Sequence, residues 1–109
     1  MDYLKLATID ELTKRKVKSL SILGRKIGIF KRDNDRFFAV ETGCKHQGAD
    51  LTTGKIENNV ATCPRHGWKY DLLTGRCLNH ASPRLRKFDV KIIGKEIHVS
   101  LQPVNETEE

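Results

Sequence analysis

The chain has 109 residues, which is the length of one domain with a modest hydrophobic core. Its formal charge is +6, but the lysines and arginines are scattered and only 6% of the residues are aromatic, so we expect no nucleic-acid partner. No segment approaches the ~20 apolar residues of a membrane span, and the N-terminus lacks a signal-peptide pattern. Three cysteines, an odd count, argue against a disulfide framework. We therefore expect a cytoplasmic protein with no membrane partner.

Alternating apolar residues and turn signals predict short strands in the first half of the chain. A first strand is expected at 3–6, and Thr8 with Glu11 is the pattern of a capped single helical turn. Further strands are predicted at 17–23, 26–31 and 36–40, the last two joined by a hairpin turn at 33–35. The last of these strands leads the chain to Gly43.

The second half continues the pattern of short strands and turns. Strands are predicted at Ile56, 60–62, 69–71 and 76–78, with a turn at 73–75, and a final pair at 88–92 and 97–101 turns at Gly94. Residues 103–109 form a polar, acidic tail. The pattern predicts an all-β fold, an antiparallel sandwich or barrel over residues 1–102, with a small subdomain inserted between its strands.

Two short pairs of cysteine and histidine interrupt the predicted strands. They are Cys44-Lys45-His46 and Cys63-Pro64-Arg65-His66. Two thiolates and two imidazoles suit either an iron–sulfur cluster or a tetrahedral zinc ion. A Rieske [2Fe–2S] centre takes two cysteines on one iron and two histidines on the other, and two loops that each supply one of each kind meet that need. The alternative is a zinc-binding structural or sensing module. It is the less favoured of the two, because zinc sites more often combine Cys-x-x-Cys with a histidine pair.

The residues around these pairs resemble the Rieske iron–sulfur proteins. The stretch CPRHGWKYDLLTG, with its His-Gly-Trp, is similar to the second cluster loop of soluble Rieske ferredoxins and of the Rieske domains of ring-hydroxylating dioxygenases. The resemblance implies a Rieske-type fold with cluster-binding loops at about 43–51 and 63–71. It also implies one [2Fe–2S] cluster, with one iron bound by Cys44 and Cys63 and the other by His46 and His66.

The chain departs from the respiratory Rieske proteins at positions that affect the cluster. Those proteins have an extra cysteine in each loop, joined as a disulfide, where Ala49 and Arg65 stand here. They also have a serine after His-Gly that donates a hydrogen bond to a cluster sulfur, where Trp68 stands here. Because such hydrogen bonds help set the potential, we expect an oxygenase-like centre near the low end of the Rieske range, about −150 mV.

The resemblance implies a function without substrate chemistry on this chain. We expect a soluble one-electron carrier, and not an enzyme, that takes an electron from an NAD(P)H-dependent reductase and passes it to an oxygenase or another redox partner. Oxygenases of the family hold a mononuclear iron in a separate domain, for which 109 residues leave no room. The small subunit of NAD(P)H-dependent nitrite reductases shares the fold but usually lacks the cluster ligands, and it is the alternative.

Two further sequence features are expected to bind no metal. Cys77-Leu78-Asn79-His80 is a second Cys-x-x-His, but it falls in a predicted strand and its exit, so Cys77 is interpreted as a small buried apolar residue. His98 alternates with the apolar residues Ile97 and Val99 and is expected to face solvent.

Overall fold

The computed structural model describes residues 3–22, 24–32, 36–43, 50–65, 67–81 and 84–103. Its helix α1 spans Ile9–Arg15, and a single 3-10 turn spans Leu51–Thr53. The strands are β1 Tyr3–Thr8, β2 Val17–Ile22, β3 Arg25–Arg32, β4 Arg36–Glu41, β5 Lys55–Glu57, β6 Val60–Thr62, β7 Lys69–Asp71, β8 Lys87–Ile93 and β9 Glu96–Pro103. In these described residues no helix is long and apolar enough to cross a bilayer.

Most predicted elements are confirmed to within a few residues, but the strand predicted at 76–78 is only an isolated β-bridge at Cys77. The predicted capping box is present, since the Thr8 hydroxyl accepts from the Glu11 amide at 3.2 Å and the Thr8 amide donates to the Glu11 carboxylate at 2.8 Å. The helix continues beyond the predicted single turn and ends where Lys16 takes a left-handed conformation, with φ 67°. The predicted turn at 33–35 lies outside the described residues.

The strands form two antiparallel sheets, which confirms the predicted fold class. The larger sheet has the order β1-β9-β8-β4-β3-β2 and closes into most of a barrel, and the smaller has the order β5-β6-β7. Strand β4 pairs directly with β8, Ala39 opposite Phe88. The chain therefore leaves the barrel after β4, builds the small sheet and returns as β8, so the small sheet is an insertion between neighbouring strands.

Strands β3 and β4 carry apolar residues on both faces, so they separate two hydrophobic cores. Ile27, Ile29 and Ala39 pack with Leu12 and Phe88 inside the barrel. The alternate residues point the other way, towards the small sheet. They join a second group, called the loop core below, which comprises Phe30, Val40, Leu51, Ala61, Cys63, Tyr70, Leu72 and Leu85.

The side chain of His98 is less exposed to solvent than the sequence predicted. Its side chain is only 17% exposed, and Nε2 lies 3.0 Å from a carboxylate oxygen of Glu96. Strand β9 lies between β1 and β8, where Lys5 and Lys91 are the residues paired with His98.

Candidate metal centre

The base of the first Cys/His loop is fixed by backbone pairing. Gly43 and Asp50 form an antiparallel bridge. Beside it the Leu51 amide donates to the Thr42 carbonyl at 2.8 Å, and the Thr42 amide donates to the Lys26 carbonyl of β3 at 2.8 Å. The first loop therefore leaves and re-enters the fold at one paired position on the barrel wall. The predicted ligands Cys44 and His46 lie outside the described residues.

Asp50 connects this base to β2. One carboxylate oxygen accepts from the Thr52 amide at 2.9 Å and the Thr52 hydroxyl at 2.7 Å, and the other accepts from the Ser19 hydroxyl at 2.9 Å. Burial, the largest single influence, raises the pKa of Asp50, but these hydrogen bonds and the charge of Lys26 together lower the pKa below its usual value. Asp50 therefore stabilises the fold at neutral pH, and that contribution is lost as the pH falls through its lowered pKa.

The second Cys/His loop is a tight connection between β6 and β7. The Cys63 amide donates to the Trp68 carbonyl at 2.7 Å, and the Gly67 amide donates to the Cys63 carbonyl at 3.1 Å. Gly67 has φ 74°, a left-handed conformation that favours glycine at this turn. Cys63 is 3% exposed and belongs to the loop core. His66 lies outside the described residues, and its neighbour Arg65 is exposed.

Two buried groups at these loops fit a bound metal cluster. Cys63 forms no disulfide within the described residues, and its thiol is enclosed by apolar side chains, where a thiolate is stabilised when it binds a metal cation. The Thr42 hydroxyl, two residues before Cys44, is fully buried and has no hydrogen-bond partner in the part of the chain that the structure describes. An unpaired buried hydroxyl in a native fold calls for an explanation, and an ion or a water molecule beside it is one.

Of the four predicted ligands, the structure describes Cys63 alone. Within the described ranges no three His, Cys, Asp or Glu side chains are close enough to hold a metal ion. The ligand set Cys44, His46, Cys63 and His66 therefore stays a prediction.

The second Cys-x-x-His segment lies beside the second loop, and its cysteine and histidine contact different parts of the protein. Cys77 is half-buried and packs against the loop core, and its backbone forms an antiparallel β-bridge with Tyr70. His80 is exposed and its ring stacks on Trp68, with centroids 4.4 Å apart and planes inclined by 17°. Sequence reasoning missed this stack, which joins the segment to the second loop.

A large cleft lies away from these loops. Its volume is about 760 Å³, and it opens at the Arg36 end of β4, whereas the first loop follows the opposite end of that strand. Basic side chains surround an apolar floor there: Lys16, Lys31, Arg32 and Arg36 around Phe30 and Leu72. The cleft is therefore separate from the candidate metal centre.

Comparison with known proteins identifies the family. Residues 2–99 match the Rieske [2Fe-2S] domain, so the chain belongs to the Rieske family and carries one Rieske-type [2Fe–2S] cluster. Family membership decides between the two metal centres in favour of the cluster and against zinc.

Several curated relatives are much longer than this chain. The chain is 30% identical over 78 residues to cholesterol 7-desaturase nvd of Hemicentrotus pulcherrimus, which covers 71% of the chain and 17% of the relative. It is 38% identical over 72 residues to oxidoreductase NdmD of Pseudomonas putida, which covers 66% of the chain and 12% of the relative. The ferredoxin component of the alkene monooxygenase system of Xanthobacter autotrophicus is 24% identical over 95% of the chain and 85% of its own length.

Solved structures of similar size share the fold. The ferredoxin of carbazole 1,9a-dioxygenase from Nocardioides aromaticivorans IC177 has a TM-score of 0.78 and 26% identity, and the match covers 92% of this chain and 98% of that chain. A chain in the complex of reduced oxygenase and oxidized ferredoxin of carbazole 1,9a-dioxygenase has a TM-score of 0.82 and 24% identity, covering 95% and 97% of the two chains.

Proposed function

We propose that this protein is a soluble one-electron carrier, a Rieske-type ferredoxin, and has no catalytic activity of its own. It takes an electron from an NAD(P)H-dependent reductase and passes it to an oxygenase or a similar redox partner. The observation that carries the proposal is the match to a ferredoxin along 98% of that protein's chain, at 26% identity. A second similar structure is a complex of oxygenase and ferredoxin, and this pairing supports an oxygenase as the acceptor.

We propose that one iron is held by Cys44 and Cys63 and the other by His46 and His66. When bound, the cluster accepts and releases a single electron. The residues of this chain keep water away from one ligand, since the loop core buries Cys63. They also fix the loop geometry, through the Cys63–Trp68 hydrogen bond in the second loop and the Gly43–Asp50 bridge below the first.

Basic residues around the loops give the proposed partner a charge to recognise. Arg65 and Lys69 are exposed in and just after the second loop, Arg84 is half-buried, and Lys45 lies outside the described residues. Redox complexes are small and short-lived, so charge acts mainly on the association rate. An acidic patch on the partner would be attracted to this rim, more strongly at low ionic strength.

The proposal predicts that reversing two rim charges slows electron transfer. We expect Arg65→Glu with Lys69→Glu to reduce the second-order rate of reduction by the reductase about tenfold at low salt. The difference should shrink as salt is raised, because screening at 0.1 M reduces interactions beyond about 10 Å. Stopped-flow absorbance across a salt series measures both effects.

The matched control carries the same charge change at the large cleft, which is lined by neither Arg65 nor Lys69. Lys16→Glu with Arg36→Glu removes two exposed cations that line the cleft and is expected to have a much smaller effect on the rate. Iron content must equal that of the wild type in both double variants. Equal rates for the rim variant and the control at every salt concentration would contradict docking at this rim.

The nitrite-reductase alternative rests on fold alone. A small subunit of a putative NADPH nitrite reductase has a TM-score of 0.71 but only 18% identity. Proteins of that type usually lack the cluster ligands, whereas both Cys/His pairs are present in this sequence. The carrier is therefore the better-supported function.

A further inference from the structure

The side chain of Asn79 is hydrogen-bonded to the backbone on both sides of Trp68. Its Oδ1 accepts from the Lys69 amide at 3.0 Å, and its Nδ2 donates to the Gly67 carbonyl at 3.1 Å. The partners fix the orientation of the carboxamide, because an amide N–H needs an acceptor and a carbonyl needs a donor. One side chain thus holds the two peptide groups that flank Trp68.

These bonds extend the pairing of β7 by one step. Tyr70 forms a bridge with Cys77, and the Leu78 amide donates to the Lys69 carbonyl at 2.7 Å. Beyond Leu78, the Asn79 side chain supplies the acceptor for the Lys69 amide that the backbone of a paired strand would otherwise supply. It reaches Gly67, whose own amide is bonded to the Cys63 carbonyl. Hydrogen bonds therefore connect Asn79 through Gly67 to Cys63, one of the proposed cluster ligands.

His80 adds a second contact to the same loop. Its ring lies flat against Trp68 at 4.4 Å between centroids, and Trp68 is half-buried beneath it. Stacked aromatic pairs stabilise a structure by more than the area they bury accounts for. Asn79 and His80 therefore hold the backbone and the side chain of Trp68 respectively.

We propose that the segment 77–80, although it has the spacing of a metal-binding Cys-x-x-His, is a clamp that positions the second cluster loop. Asn79 is its main positioning residue and His80 supports it through Trp68. The inference rests on the proposed ligand set, in which Cys63 and His66 bind the cluster. Groups that orient metal ligands from outside typically change metal affinity 10–100-fold when they are removed. The clamp therefore acts on how long the cluster is retained and how uniformly it is held.

The experiment compares Asn79→Ala with Leu78→Ala. The Leu78 side chain is 53% exposed and lies next to Asn79 in sequence, so it is a matched control that leaves the clamp intact. We expect Asn79→Ala to release iron to a chelator about tenfold faster than wild type, followed by the loss of visible absorbance. We also expect a broader EPR line in the reduced state, because a loosened loop holds the cluster in more than one geometry. Leu78→Ala should match the wild type in both measurements.

A readout on the cluster-free protein separates the clamp from the proposed function. In the apo protein, amide hydrogen exchange at Lys69 should accelerate in Asn79→Ala, because that amide loses its acceptor. Asn79→Asp keeps the acceptor for the Lys69 amide and loses the donor to the Gly67 carbonyl. It should therefore keep the Lys69 amide protected from exchange but still release iron faster than the wild type. His80→Phe, which keeps a flat ring against Trp68, should release iron to the chelator more slowly than His80→Ala, although both variants are expected to bind two irons per chain before the chelator is added.

Two results would overturn the clamp. One is an Asn79→Ala protein that releases iron, and exchanges the Lys69 amide hydrogen, no faster than Leu78→Ala does. The other is accelerated exchange throughout both sheets of apo Asn79→Ala, which would make Asn79 a general stability residue. Failure of the wild type to bind iron would instead contradict the proposed ligand set, while the exchange result would still test the contacts of Asn79.

Discussion

Replacing any one of the proposed ligands is expected to abolish the cluster or strongly reduce its content: Cys44→Ser, His46→Ala, Cys63→Ser and His66→Ala. Each iron of a Rieske centre takes two protein ligands, so the loss of one leaves that iron with an open position. Cys77→Ala and His80→Ala are expected to keep two irons per chain. Iron analysis, the visible spectrum before and after dithionite, and the EPR signal of the reduced protein measure the result.

The comparison between the two Cys-x-x-His segments makes this test specific. Cys63 and Cys77 both contact the loop core, so a general requirement for a cysteine in that core would affect both variants alike. Circular dichroism of each variant checks that the sheets are intact. A folded Cys77→Ala protein without iron, or a Cys63→Ser protein with a full cluster, would contradict the assignment.

The features that the sequence predicted well depend on neighbouring residues. Thr8 and Glu11 are three positions apart, and their capping box forms as predicted because both partners lie in the same helical turn. The strands follow from alternation and turn signals, and the strand predicted at 26–31 is confirmed as β3, Arg25–Arg32. The two Cys/His pairs are also short motifs, each within four residues of the chain, and the cluster type that they indicate is confirmed by the family match, whereas the ligand assignment stays a prediction.

The contacts that sequence reasoning missed join distant segments. The stack of His80 on Trp68 and the bonds of Asn79 depend on how the segment after Cys77 runs beside β7. A usable signal was present, because the predicted hairpin around 73–75 pairs 69–71 with 76–78 and so brings Asn79 close to Trp68. Extending that register by one residue suggests a contact, but only the structure identifies the bonded atoms.

Gly54 is a second position that only the structure identifies, and Gly54→Ala is expected to be strongly destabilising. An added Cβ would overlap the Thr62 carbonyl oxygen and would lie 3.1 Å from Cδ of Pro64. Gly54 has φ −97°, which any residue can adopt, so the whole effect is steric. The obstacle is backbone at the end of β6, where Thr62 is paired with Lys55 and directly precedes Cys63. Relief of the clash must therefore separate β5 from β6 or displace the second loop.

The expected loss in the free energy of unfolding is about 3 kcal/mol, at the upper end of overpacking effects, and the melting temperature should fall by about 12 °C or more. Thermal unfolding of the apo protein measures it without any contribution from iron. Gly43→Ala is the matched control, because an added Cβ there meets no atom within 4 Å among the described residues, and its φ is not left-handed. Since Gly43 lies at the base of the first loop and Gly54 against the second, equal melting temperatures for the two variants would mean that the contact between Gly54 and Thr62 relaxes freely. A large loss for Gly54→Ala alone would mean instead that the second loop is held rigidly against the turn that precedes β5.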